Sequence, residues 1–158
     1  MELQWNPNSW SCLPTAFAMV IGMPVSEFIE LVSHAGSTEP WDGYKIGFHE
    51  QECIDIADSL GWYCTPIQRY PTIIPCAVPP MEPVTIHFSI GNELRFANHL
   101  NTNGVFLGGI LNTGIGHAVA WDSENQLIYD PRGMVFALKQ CRERNYYFQS
   151  FWKIRRAN

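Results

Sequence analysis

Residues 12–22 read CLPTAFAMVIG, a run in which every side chain from Cys12 to Ile21 is apolar or small. Pro14 has no N–H and is tolerated only among the first residues of a helix, so a helix here begins near Cys12, with Ser11 as its N-cap. Gly22 ends it. A helix that is apolar nearly all round has no face for water, so the sequence predicts a helix over Cys12–Ile21 buried at the centre of the fold.

Two more helices follow. Pro24 opens one over about Val25–His34, and apolar residues at three- and four-residue spacing predict another over about Glu50–Leu60. Five prolines between positions 71 and 83 then predict an extended loop over Tyr70–Pro83.

Beyond that loop the apolar period shortens to two, which is typical of strands. A short helix is predicted over Glu93–Leu100. The predicted strands are Val84–Ile90, Val105–Leu111, His117–Trp121, Leu127–Tyr129 and Tyr146–Ile154. Helices first and strands afterwards predict an α+β fold, with N-terminal helices packed on a mainly antiparallel sheet. With 158 residues the chain is expected to form one domain, residues 1–158, with a helical half at about 1–69 and a sheet half at about 84–158.

Composition excludes several classes of protein. Charged residues make up 16% and aromatic residues 13% of the chain, which excludes intrinsic disorder and coiled coil. No apolar run reaches the ~18 residues of a membrane span, and the N-terminus lacks the pattern of a secretory signal, so we expect a cytoplasmic protein with no membrane partner. Five cysteines, an odd number without a Cys-x-x-Cys pair, favour reduced thiols over a disulfide scaffold or a zinc ribbon.

Residues 139–158 carry six basic side chains against one acidic one, although the whole chain has a net charge of −5. A basic, aromatic segment could bind nucleic acid. A last strand that packs its aromatic side chains on the sheet explains the same residues, and the acidic remainder of the chain would repel phosphate. We therefore expect no nucleic-acid partner.

Cys12 is the first candidate for chemistry. Its thiol lies at the positive end of the predicted helix, where a thiolate is stabilised, and the thiolate is the nucleophilic form. A cysteine that packs as a small buried hydrophobe is commoner, so the function of Cys12 depends on whether a base lies nearby.

His117 is the candidate base, because it begins a strand directly after the glycine-rich segment 112–116. If Ser123-Glu124 is a two-residue hairpin loop, His117 lies directly opposite Asp130 on the next strand. Opposed residues share one face with their Cβ atoms ~5 Å apart, so the carboxylate could orient the ring and stabilise its charged form. A loop one residue longer would break this register.

A tetrahedral intermediate also needs donors for its oxyanion. The free backbone N–H of Cys12 is one. The side-chain amide of Gln4 is the predicted second, with Asn6 and Asn8 as rivals.

These segments together resemble the papain-like cysteine peptidases, and most closely the group similar to bacteriocin-leader-processing peptidases. The segment from Gln4 to Met19, with Ser11-Cys12-Leu13-Pro14-Thr15, is similar to that group's nucleophile helix. Gly116-His117-Ala118-Val119 resembles its histidine strand, Tyr129-Asp130-Pro131-Arg132-Gly133 its acid-bearing turn, and Phe151-Trp152-Lys153-Ile154 its last strand.

The resemblance implies acyl transfer through a thioester on a peptide or isopeptide bond. Cys12 would be the nucleophile, His117 the base and acid, Asp130 the orienting residue and Gln4 an oxyanion donor. Trp5, Trp10 and residues 112–116 would border the cleft. The substrate would be a peptide or protein, and neither a cofactor nor a metal is implied.

Leu13 departs from the family's pattern, which has glycine after the nucleophile. This substitution favours one alternative, a peptidase-like binding module without activity. A second alternative keeps the chemistry but acts as an amidase or transamidase on a non-protein substrate. A third uses Cys12, His117 and Asp130 as zinc ligands.

Overall fold

The computed structural model describes residues 1–36, 47–68, 92–110 and 115–157. Within these ranges it has three α-helices, α1 Cys12–Ile21, α2 Val25–Val32 and α3 Glu50–Ser59. The strands are β1 Trp62–Gln68, β2 Gly104–Ile110, β3 Ile115–Asp122, β4 Leu127–Asp130, β5 Met134–Ala137 and β6 Tyr146–Arg156. Short 3₁₀ helices lie at Asn92–His99 and Leu138–Cys141.

All six strands belong to one antiparallel sheet with the order β1-β6-β2-β3-β4-β5. The three helices pack on it. The predicted α+β fold with N-terminal helices on a mainly antiparallel sheet is therefore confirmed.

Helix α1 has the predicted bounds and lies at the centre of the first core cluster. Every side chain from Leu13 to Val20 is buried, and Gly22 ends the helix in the left-handed conformation with a φ of 81°. From the sheet, Ala118 and Ala120 of β3 belong to this cluster. Because these side chains are small, the helix axis can approach the strand closely, and this brings the start of α1 toward the start of β3.

The other face of the sheet carries a second core cluster that is mostly aromatic. Its large members are Phe96, Phe106, Trp121, Tyr146, Phe148 and Phe151. The rings of Phe106 and Phe148 stack with their centroids 4.4 Å apart. The indole N–H of Trp121 donates to the carbonyl of Leu100 over 3.0 Å, so this buried polar group is satisfied.

Several predicted boundaries differ from the structure. Helix α2 stops at Val32, because Ser33 turns left-handed with a φ of 66°. The half predicted to be helical, about 1–69, contains strand β1, which pairs with β6 at the edge of the sheet. Pro66 is compatible with a strand there, since a proline is tolerated on an edge strand. The predicted loop Tyr70–Pro83 and strand Val84–Ile90 lie outside the described residues.

The β3–β4 hairpin has a four-residue loop, 123–126, rather than the predicted two residues. Its pairs are Ala120 with Tyr129 and Asp122 with Leu127, so the expected direct opposition of His117 and Asp130 is wrong. Extending this register by one position places Asp130 opposite Val119. A shift of two residues preserves the face, so Asp130 becomes a diagonal neighbour of His117.

In the described part of the chain, no single helix has the length and apolar character needed to cross a membrane. Helices α1 and α2 meet that criterion only when taken together, and they are bent by 116° at the break between them.

Candidate active site

Cys12 is the first residue of α1 and is partly exposed. Ser11 precedes it at the N-cap position, but the Ser11 hydroxyl donates to Oδ1 of Asn8 instead of capping the helix. The N–H groups of the first turn are therefore not taken by this side chain. A thiol at such a helix end lies in the favourable field for a thiolate.

His117 is buried near the start of β3 and lies between a thiol and a carboxylate. Its Nε2 is 3.0 Å from Oδ1 of Asp130, and the thiol of Cys12 is the other group that interacts with the ring. Because Nε2 faces the carboxylate of Asp130, Nδ1 is the ring nitrogen that is available to the sulfur of Cys12. Burial opposes a charged ring, but the hydrogen bond to Asp130 and the interaction with Cys12 outweigh it and raise the pKa of His117 to about 9. The ring is therefore held as an imidazolium at neutral pH.

Asp130 is fully buried at the end of β4. Its Oδ1 accepts hydrogen bonds from His117 and, over 2.8 Å, from the backbone N–H of Arg132, and its Oδ2 accepts one from the hydroxyl of Tyr146. Burial alone would raise the pKa of Asp130, but these bonds, led by the one to His117, lower it. The carboxylate is therefore ionised and fixed in orientation.

A cleft of about 250 Å³ opens over these groups. Its lining combines aromatic and apolar walls with glycines, one acidic side chain and one carboxamide. The lining residues are Trp10, Cys12, Leu13, Gly47, Phe48, Glu50, Leu107, Gly108, Gly116, His117, Ala118 and Gln149. A larger hollow of about 470 Å³ lies at the opposite end of α1 and includes none of Cys12, His117 and Asp130.

No family model and no curated protein matches the chain. A solved structure does: the peptidase domain of Streptococcus ComA, a bifunctional ABC transporter involved in a quorum-sensing pathway. The match has a TM-score of 0.59 and covers 99% of this chain and 98% of that one, with 14% sequence identity. The fold is that of a papain-like peptidase domain. The predicted resemblance is thereby confirmed at the level of the fold.

Within this papain-like fold, Gln4 is not brought to the cleft. Its Nε2 donates to the carbonyl of Met23 over 2.8 Å, and its Oε1 accepts from the N–H of Val25 over 2.7 Å. Met23 lies in the link between α1 and α2 and Val25 is the first residue of α2, so both partners lie beyond the far end of α1, about 15 Å along the helix from Cys12. The carboxamide is engaged at both ends by backbone, and this placement contradicts the oxyanion role expected for Gln4.

The rival donors lie closer to Cys12 in the chain, and neither lines the cleft. Asn8 uses its Oδ1 to accept from the N–H of Trp10 and from the hydroxyl of Ser11. Asn6 donates its backbone N–H to the carbonyl of Pro131 over 2.8 Å, which joins the N-terminal segment to the turn after Asp130.

The predicted cleft borders are partly found. Trp10 and Gly116 line the cleft, whereas Trp5 packs its ring against Gly133 and stays 66% exposed. Residues 111–114 lie outside the described part of the chain. Leu13 lines the cleft, but its side chain is 8% exposed and belongs to the first core cluster, so it does not fill the opening.

Tyr146 is a residue of the site that the sequence did not indicate. It is buried in β6, its hydroxyl donates to Asp130, and its ring stacks on His117 with centroids 5.6 Å apart. Burial, and then the bond to Asp130, raises the pKa of Tyr146, so the hydroxyl stays protonated and acts as a donor. Only the pairing of β6 in the sheet brings Tyr146 here, and no local motif marks it.

The residues that the structure describes contain no group of three or more His, Cys, Asp or Glu side chains arranged to hold a metal ion. They give the zinc-site alternative no support.

Proposed function

We propose that this protein is a cysteine peptidase that cleaves a peptide or isopeptide bond through a thioester. The observation that carries the proposal is the buried ring of His117, which is hydrogen-bonded to the carboxylate of Asp130 and shares the cleft with the thiol of Cys12, with which it interacts. A nucleophile, a base within reach and a group that orients the base are what acyl transfer by a thiol requires.

In the first half-reaction, the thiolate of Cys12 attacks the carbonyl carbon and the π electrons move onto oxygen. The backbone N–H of Cys12 donates a hydrogen bond to this oxyanion. The imidazolium of His117 gives its Nδ1 proton to the leaving nitrogen, the C–N bond breaks, and an amine departs. A thioester on Cys12 and a neutral His117 remain.

In the second half-reaction, neutral Nδ1 takes a proton from water, and the hydroxide attacks the thioester. The C–S bond breaks and releases the acid together with the thiolate. The proton on His117 completes the original ion pair. Asp130 stays ionised throughout and stabilises the charged ring in both halves.

Competition between thiols tests the nucleophile without knowledge of the substrate. Cys53 and Cys141 are fully buried, burial strongly raises the pKa of Cys53, and burial raises the pKa of Cys64 to about 11. We expect iodoacetamide at pH 7 to label Cys12 first, and His117→Ala to slow this labelling roughly tenfold or more, because an ordinary thiol is only a few per cent ionised there.

p-Nitrophenyl acetate should then give a burst of one nitrophenolate per chain, which Cys12→Ala abolishes and the matched control Cys64→Ala retains. A wild-type chain whose Cys12 reacts no faster than its other thiols would favour the binding module without activity. Fast acylation followed by deacylation that requires an added amine would favour the transamidase.

A further inference from the structure

Strand β6 contains an irregularity beside the cleft. On its β2 side, Leu107 pairs with Ser150, whereas the next residue, Gly108, pairs with Phe148. Gln149 is therefore left without a partner on β2. This is a β-bulge, a feature that bends a strand and turns a side chain away from its regular direction.

The side chains on either side confirm the extra residue. Phe148 and Phe151 both belong to the aromatic core cluster, although they are three positions apart. Strict alternation would place them on opposite faces, and one inserted residue restores them to the same face. The bulge thus keeps both rings in the core and frees Gln149 to line the cleft with Cys12 and His117.

The floor beside Gln149 is bare backbone. A Cβ on Gly108 would lie 1.9 Å from the carbonyl oxygen of Tyr147, so this position has no room for a side chain. Trp10 and Phe48 form walls of the same cleft. A flat floor between apolar walls suits the main chain of an extended peptide, whose amides then need polar partners.

The carboxamide of Gln149 can supply the polar partner that a peptide main chain needs. It carries a donor and an acceptor, as a peptide group does, and no hydrogen bond ties it to any side chain or backbone group in the described ranges. Gln4, which lies near Cys12 in sequence, has both ends of its amide engaged elsewhere. We infer that Gln149 is a substrate-contact residue that hydrogen-bonds the main chain of the bound peptide.

The sheet order sets where on the peptide this contact falls. Gly108 pairs with His117 on one side and with Phe148 on the other, so Gln149 lies two strand spacings, ~10 Å, from the histidine strand. An extended peptide advances ~3.3 Å per residue. The contact therefore falls two to three residues from the reacting carbonyl, and a substrate of one residue should not reach it.

This inference rests on the proposed peptidase function, so the test must separate the two. The probes are acetyl-trialanyl chloromethyl ketone, which presents three residues of main chain with small side chains, and the single-residue acetyl-alanyl chloromethyl ketone. Saturation kinetics at Cys12 give a binding constant KI and a maximal rate kinact for each. Iodoacetamide, which has no peptide chain, measures the thiol alone.

We expect Gln149→Ala to raise KI for the tripeptide reagent about tenfold, the effect of losing one or two hydrogen bonds, with kinact unchanged. The single-residue reagent and iodoacetamide should react as with the wild type. Gln149→Glu keeps the shape of the side chain but removes its N–H donor, so it should also raise KI for the tripeptide reagent. This variant replaces Gln149→Ala in the test if the alanine variant does not fold. Gln51→Ala, on the exposed face of α3 and outside the cleft, is the matched control.

An unchanged KI for the tripeptide reagent, or a loss confined to kinact, would overturn the role of Gln149 while leaving the peptidase proposal standing. If the wild-type chain binds the tripeptide reagent no better than the single-residue one, the contact does not exist. If Cys12 is not the labelled thiol at all, the proposed function fails and the substrate contact with it.

Discussion

The two faces of the sheet position the candidate site in different ways. On the helical face, small residues such as Ala118 and Ala120 let α1 lie close to β3, and this brings Cys12 toward His117. On the other face, rings fill the core, and the polar groups are fixed by stacking and hydrogen bonds: Tyr146 stacks on His117 and holds Asp130. The proposed nucleophile, Cys12, is thus placed by the close approach of a helix, whereas His117 and Asp130 are placed by aromatic packing and by hydrogen bonds.

This difference has an energetic consequence. The helical face contributes the sulfur of Cys12, and the core cluster beneath it is apolar. The aromatic face carries a buried ionised carboxylate that is stable only because all of its donors are in place. Changes on the aromatic face should therefore affect reactivity and stability together.

The largest expected effect comes from removing the carboxylate of Asp130. Asp130→Ala leaves His117 without its carboxylate and leaves the donors of Tyr146 and Arg132 unpaired. We expect acylation of Cys12 by p-nitrophenyl acetate to slow about 10²–10³-fold, within the range for loss of acid–base catalysis. Asp122→Ala is the control, since Asp122 is a buried carboxylate of the same hairpin that contacts neither His117 nor Cys12. Equal losses in the two variants would contradict a special role for Asp130.

The pH dependence of stability gives the next effect. The pKa of His117 is raised from 6.5 to about 9, so its ionic stabilisation is fully present below pH 6.5 and is lost as the pH rises through 9. We expect the difference in unfolding free energy between the wild type and His117→Ala to shrink by roughly 2–3 kcal/mol from pH 6 to pH 10. Denaturant unfolding at several pH values measures it, and a difference independent of pH would mean that the ring is uncharged.

Tyr146→Phe tests the hydroxyl alone, because it keeps the ring stacked on His117. A hydrogen bond to a charged group is worth about 1.5–3 kcal/mol, so we expect acylation of Cys12 to slow about tenfold or somewhat more and the protein to be destabilised by a similar free energy. Tyr63→Phe, on the edge strand and 58% exposed, should change neither. If Tyr146→Phe has wild-type rates and stability, the hydroxyl does not hold Asp130 in solution.

The smallest effect belongs to the helical side of the cleft. Glu50 lines it, and its Oε2 accepts from the indole N–H of Trp152 over 3.2 Å. Its charge should favour cationic over anionic methanethiosulfonates at Cys12, and Glu50→Gln should reduce that preference roughly threefold at low salt, with less effect at high salt. Asp55→Asn, an exposed residue of the same helix that does not line the cleft, should leave the preference unchanged.

The sequence predicted best where the cause is local. Helix α1 has the predicted bounds because Pro14 limits its start and Gly22 its end. Strands β1 and β5 are not predicted by the sequence, and in β1 the reason is Pro66, a residue that usually argues against a strand. His117 and Asp130 come together despite the wrong loop length, because a two-residue error in register preserves the face of the sheet.

Residues that reach the site through distant pairing left no such signal. Tyr146 and Gln149 lie on β6, more than 130 positions after Cys12, and the bulge that turns Gln149 has no marker in the sequence. Gln4 shows the opposite case, because closeness in sequence to the nucleophile does not bring it close in space. The order of the motifs predicts a nucleophile and its base, whereas the contacts around them depend on the pairing of the whole sheet.

The two glycines of the cleft floor set limits on any effort to reshape this protein by directed evolution. A side chain at position 108 meets backbone at 1.9 Å, so variants there should be lost from a library whatever they are selected for. At Gly116 the nearest atom to an added methyl group is 3.9 Å away, so alanine is tolerated. Selectivity can therefore be narrowed from the β3 side of the opening, one methyl group at a time, while the β2 side is closed to such change.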